Sequence, residues 1–218
     1  MKKICIVFAA VMTAATVWWL TACADHALDN VSERRSAYFS ATDGSFELTA
    51  VSGEREENYV ADGVAGKLTP YTLITFAPVD ENMFDVDATY TYEAVLDDGA
   101  KKYGGALVVH PFAASFSAEF PYEARGTFTV TVFLGGGAKR EYRLNNLVDG
   151  AYMSAERAIG AAKQELNPTG KYEIRARVIK SPLSDGLCWH VAFYFGDDKT
   201  CGVLLEPTTA KVLAIKAL

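Results

Sequence analysis

The stretch "GTFTVTVFLGGGAKREYRL", residues 126–144, holds two alternating segments joined by three glycines. Phe128, Val130, Val132 and Leu134 alternate with Thr127, Thr129, Thr131 and Phe133, the period of a strand with one buried face. A three-residue loop at Gly135-Gly136-Gly137 pairs Val130 with Tyr142 and Phe128 with Leu144. One apolar face then crosses both strands, and Glu141 and Arg143 fall on the other. A two-residue loop would slip the register by one and turn Arg143 inward. The glycines supply the positive φ that such a loop needs.

Outward from this hairpin, β grammar extends from Tyr38 to about Val148. Candidate strands are "SFELTAV", "REENYVADGV", "YTLITFAPV", "ATYTYEAVL" and "ALVVHPF", followed by the hairpin's own two. Pro70, Pro78, Pro111 and Pro121 punctuate them. Short strands at this spacing predict an all-β sandwich or barrel. The hairpin and "ATYTYEAVLDDG" resemble the late strands of immunoglobulin-like extracellular modules, without their Cys-Trp-Cys signature.

After Asp149-Gly150 the period changes. "SAERAIGAAKQEL" sets Ala155, Ala158, Ile159, Ala162 and Leu166 along one helical stripe. Ser154 is placed to cap the helix, Glu156 lies in its first turn, and Pro168 lies just past its end. "YEIRARVIK" follows, with Tyr172, Ile174, Ala176 and Val178 on one face and Glu173, Arg175 and Arg177 on the other. In "WHVAFYF", Trp189, Val191, Phe193 and Phe195 face inward, which turns His190 to the outer, arginine-bearing face. One helix across a small antiparallel sheet buries both stripes, an α+β unit. This helix, with "WHVAFYFGDDKTCGVLLEPTTAKVLAIK", resembles a PepSY domain. Glu206, Thr209, Lys211 and Val212 fit that family's closing turn and strand, while Ala210 stands where the family usually has Gly. The resemblance covers about a third of the mature chain and implies restraint of an envelope protease, since such domains occur in propeptides of thermolysin-type metalloproteases.

At the other end, Met1-Lys2-Lys3 precedes the uncharged run "ICIVFAAVMTAATVWWL", residues 4–20. Its length fits both a long secretory h-region and a short membrane anchor. Leu20-Thr21-Ala22-Cys23 resembles the lipobox of bacterial lipoprotein precursors, which implies cleavage before Cys23 and lipidation of its thiol. Two or more acyl chains hold a protein stably on a bilayer. An uncleaved anchor helix is the alternative, and no basic stop-transfer cluster follows to favour it. The expected organisation is a signal peptide at 1–22, a lipidated Cys23 and tether at 23–35, a β-sandwich at 36–148 and a PepSY-like unit at 152–218. The fold class is thus α+β overall.

Cleavage would leave 196 residues with 19 basic and 27 acidic side chains. Residues 24–151 carry 10 basic and 20 acidic groups, residues 152–218 carry 9 and 7. That balance argues against nucleic acid as a partner. Cys188 and Cys201 flank a hairpin expected to turn at Asp197-Asp198, with Phe195 opposite Thr200. Cys201 then faces Tyr194 and Cys188 faces Pro207. The thiols lie roughly 20 Å apart at ~3.3 Å per residue, too far for a disulfide, and read as buried small apolar groups.

No set of residues carries recognisable chemistry. His26, His110 and His190 fall in three different elements, and no His-Glu-x-x-His, nucleophile elbow or phosphate loop occurs. Asp80, Glu81, Asp85 and Asp87 in "DENMFDVD" lack EF-hand spacing and read as a solvated loop. The expectation is therefore no catalytic residue, metal or cofactor. The reading is a non-enzymatic lipoprotein of the cell envelope, on the extracytoplasmic side, with the membrane and an envelope protein or protease as partners. The alternative is a small-ligand or glycan sensor lined by Tyr90 and Tyr92, although alternation favours the core for both residues. An unrecognised hydrolase is a third reading.

Overall fold

A computed structural model describes residues 28–57, 64–96, 99–196 and 199–216. Cys23 and His26 lie outside the described residues. The described chain is rich in β-structure, sandwich-like, with a single α-helix. Its strands are β1 (Val31–Thr42), β2 (Phe46–Glu56), β3 (Leu68–Pro78), β4 (Tyr90–Leu96), β5 (Lys101–Val109), β6 (Phe116–Phe120), β7 (Phe128–Phe133) and β8 (Lys139–Leu144). Helix α1 (Ala155–Leu166) follows, then β9 (Tyr172–Lys180), β10 (Leu187–Phe195), β11 (Thr200–Leu205) and β12 (Val212–Lys216). They form one continuous sheet in the order β12-β11-β10-β9-β1-β2-β3-β6-β5-β4-β7-β8. All neighbours are antiparallel except β1 and β9.

The 126–144 hairpin has the register its sequence dictates. Val130 pairs with Tyr142 and Phe128 with Leu144. Gly136 and Gly137 sit at φ 74° and 84°, where a side chain would be strained. Strands β1 to β8 curl until the chain after β8 meets β1 again. Phe39 bridges Asn146, and the Leu147 N–H donates to the Tyr38 carbonyl at 2.8 Å. The enclosed core is aromatic. Phe39 meets Phe128 edge-on at 5.0 Å, and Tyr90 meets Phe116 at 4.7 Å. Leu48, Ile74, Val130 and Leu144 fill in between with no exposure.

A second core lies between α1 and the β9–β11 face. Ala158, Ile159 and Ala162 pack with Ile174, Trp189, Val191, Phe193 and Val203. Ser154 caps the helix by accepting from the Arg157 N–H at 3.4 Å, and Asn167 ends it at φ 41°. Leu166 packs at the margin of this core, half-buried.

Three expectations need correction. The tether expected at 23–35 is strand from residue 31 onward, because Val31–Arg35 pair in parallel with Ile174–Arg177. Val31 joins the second core and Phe39 the first, so β1 belongs to both. A bulge between Arg35 and Ala37 interrupts its alternation, which is why it does not read as a strand. Gly53 lies opposite this bulge, and a Cβ there would stand 2.0 Å from the Arg34 carbonyl oxygen. Next, "SFELTAV" and the start of "REENYVADGV" are one strand, β2, which runs unbroken to Glu56; residues 58–63 lie outside the described residues. Last, β6 has no counterpart in the sequence reading, and the strand expected at "ALVVHPF" begins earlier, at Lys101.

Candidate functional site

Helix α1 covers one face of β9–β11. The opposite face carries the polar residues of the same strands, because successive side chains alternate. At its inner end Glu33 is only 5% exposed. It accepts from Arg177 Nε at 2.8 Å, from a second Arg177 nitrogen at closer range, from Tyr71 Oη at 2.6 Å and from Arg35 at 3.3 Å. Burial pushes the Glu33 carboxyl up, but the Arg177 guanidinium, with Tyr71 and Arg35, outweighs this and holds it below the usual carboxylate range. Burial drives the Tyr71 phenol up to about 12. His190 lies directly across from Arg177. Its imidazole is pulled below the ordinary value by burial first and then by Arg177 and Arg35. The cluster ties β1, β3 and β9 together with satisfied charges.

Next to this cluster the face opens into a trough of about 350 Å³. Its floor is small. Ala192 pairs with Gly202, which pairs with Lys216, and Leu204 pairs with Ala214. Gly202 is closely approached there: a Cβ would stand 3.3 Å from His190 Nε2 and 3.2 Å from the Val191 carbonyl oxygen, so these neighbours would have to give by a few tenths of an ångström. His190, Tyr194 and Lys216 form the walls. The Arg175 guanidinium stacks 4.5 Å above the Tyr194 ring. The trough runs out to β12, which among the described residues pairs only with β11. Leu213 and Ile215 on that strand are 37% and 47% exposed.

The residues singled out from sequence do not converge. His190 is on the outer face, as its alternation requires, beside the arginines. His110 caps a turn in the sandwich, its Nδ1 accepting from the Phe112 N–H at 3.2 Å. Asp80 accepts from the Asn82 backbone at 3.0 Å and Asp85 from the Asp87 N–H at 3.0 Å, so both are local turn caps. No three His, Cys, Asp or Glu groups stand close enough to hold a metal among the described residues. No described helix is long and apolar enough to cross a membrane. Tyr92 is 6% exposed and, with Tyr90, packs into the first core, so neither lines an open site.

Cys188 and Cys201 are buried and unbonded, as the sequence predicts, but the register behind that expectation is one residue off. Tyr194, not Phe195, pairs with Thr200, because the loop has three residues rather than two. Cys201 therefore lies opposite Phe193 on the core face, while Cys188 is on the other face. Burial raises both thiols above the ordinary cysteine value. At the closing turn, Glu206 accepts from the N–H groups of Thr208 and Thr209 at 3.1 and 2.6 Å and from both hydroxyls. The Thr209 hydroxyl leads in holding its carboxyl down to about 2. Ala210 takes the positive φ, 64°, that a glycine would take more easily.

Sequence reasoning did not single out Glu33 and Arg35, because they fall in the stretch read as tether. It also passed over the trough, although an isolated Gly inside a strand pattern, here Gly202, is a signal for close approach of another group. Comparison with family models, curated proteins and solved structures finds no match to this chain.

Proposed function

We propose that this chain is a non-enzymatic lipoprotein of the cell envelope, held to the membrane through lipid on Cys23, and that its folded body binds another envelope protein. The observation that carries the binding reading is the open sheet end. The sandwich interior is filled with its own aromatic rings, while among the described residues β12 leaves one edge unpaired beside a trough. A filled core has no room for a ligand, and an open edge is a ready template for another chain. The PepSY-like resemblance adds a specific variant, restraint of an envelope protease by the unit at 152–218. The glycan-sensing alternative rests on Tyr90 and Tyr92; Tyr92 lies inside the first core and Tyr90 packs against it, half-buried.

Two measurements test this. Cys23→Ser should leave an uncleaved, lipid-free precursor, read by intact mass and detergent partitioning; normal processing of that variant would sink the anchor. The full-length chain, solubilised from its own membrane, should co-purify with one protein at a fixed ratio. A chain recovered alone at native abundance would overturn the binding reading.

A further inference from the structure

We infer that β12 docks an extended acidic segment of a partner protein, which adds to the sheet as a further strand and lays alternate side chains over the trough. This rests on the protein-binding reading above and names the chemistry of the partner.

The sheet has two ends, and among the described residues β12 at one of them pairs on one side only. Beyond β8 the chain bridges back to Phe39 and bonds to Tyr38. At the other end β12 presents five residues, about 17 Å of backbone at ~3.3 Å per residue, enough for a segment of five or six residues. The two faces of that edge differ. Ile215 pairs with Val203 of the core, so it extends the apolar helix side beyond α1. Lys216 pairs with Gly202 and stands on the trough side. An incoming strand thus meets apolar surface on one face and a cation with small residues on the other. Alternating apolar and acidic residues satisfy both.

Charge decides between occupants. The whole chain carries −6, yet exposed Lys211 and Lys216 bracket β12, and Arg175 stands over Tyr194 at the trough. The acid of the adjoining turn, Glu206, is already occupied by Thr208 and Thr209. Two copies pairing edge to edge would bring four lysines together, the arrangement by which edge strands avoid self-association. An acidic segment neutralises the same lysines, and the acidic remainder of the molecule repels it from other sites.

The test uses the full-length chain in detergent and two capped seven-residue peptides, one alternating Glu and Val, the other alternating Lys and Val. Amide exchange is read residue by residue. The Glu peptide should slow exchange across 212–216 tenfold or more at saturation, and the Lys peptide should not. Lys211→Glu with Lys216→Glu should reverse that preference while far-UV circular dichroism stays unchanged. No protection from either peptide, or equal protection from both, overturns the inference. If the envelope partner still co-purifies with the doubly substituted chain, the acidic-edge inference fails and the protein-binding reading stands. If that substitution releases the partner, the inference gains its native case.

Discussion

Glu33 is the residue on which the outer-face cluster turns. Replacing it with Gln keeps its shape but leaves Arg35 and Arg177 facing each other without a carboxylate. Removing one member of a buried ion pair costs about 3–5 kcal/mol. The two arginine side chains retain 20% and 23% exposure, so the cost of Glu33→Gln should be roughly 2–4 kcal/mol, measured by urea unfolding. His190 adds a pH dependence of known sign. Its folded value lies below its ordinary 6.5, so the unfolded chain takes up a proton first as the pH falls. Stability is therefore full above about 6.5 and declines as the pH falls toward the depressed folded value. Glu33 is also depressed, and its contribution is lost only at pH below 4.5. The two windows are separate. Urea midpoints between pH 5 and 7.5 should slope for the native chain and flatten for His190→Gln; an unchanged slope would assign the proton elsewhere. Ala210 offers the opposite sign. At φ 64° its Cβ is strained, so Ala210→Gly should raise stability by about 0.5–1 kcal/mol.

The elements show which signals a sequence carries plainly. The 126–144 hairpin is legible because alternation and loop length fix register together, and a slip would bury Arg143. Helix α1 is legible from its stripe and its Ser154 cap. The β10–β11 hairpin is half legible: its faces follow from Trp189, Val191 and Phe193, but its loop accommodates two or three residues, and the structure takes three. That one residue moves Cys201 from the outer face to the core. It also gives the thiols different neighbours, which chemical modification can read. Both are buried, so a bulky thiol reagent should label neither in the native chain and both on unfolding; fast native labelling of Cys201 would contradict its place beside Phe193. Strand β1 was the least legible element. Its bulge shifts the alternation, and its buried Ser32 and Glu33 look like surface in a sequence. They are buried because β9, more than 130 residues later, supplies Arg177 and the Ile174 carbonyl that Ser32 contacts at 3.4 Å. No local pattern encodes a partner that distant, and the cluster built on Glu33 stayed hidden for the same reason.

At the scale of the molecule, β1 decides how far the two cores act as one. The sequence reads as two units, 36–148 and 152–218, and the buried clusters are built mainly from those two stretches. Yet β1 contributes Phe39 to one and Val31 to the other, and the sheet passes through it without a break. If 152–218 is expressed alone, β9 becomes an edge, Arg177 loses its carboxylate and the second core loses Val31. Stability should fall, and the exposed edge should promote association. A fragment from residue 28 to the end keeps all three features. Trp189 makes the comparison direct, since Trp18 and Trp19 are the only other tryptophans and both precede residue 28. In that fragment its fluorescence reports the second core alone. Phe39→Ala empties a site of zero exposure in the first core, at a cost of about 3–5 kcal/mol. Coupling through β1 requires that the Trp189 urea midpoint shift together with the far-UV midpoint, although Trp189 belongs to the other core. If the far-UV transition splits, the Trp189 midpoint holds still, and 152–218 unfolds at that same midpoint when isolated, the parallel pairing of β1 with β9 is a contact between two independent modules. A common shift instead makes β1 the strand through which both cores fold as one.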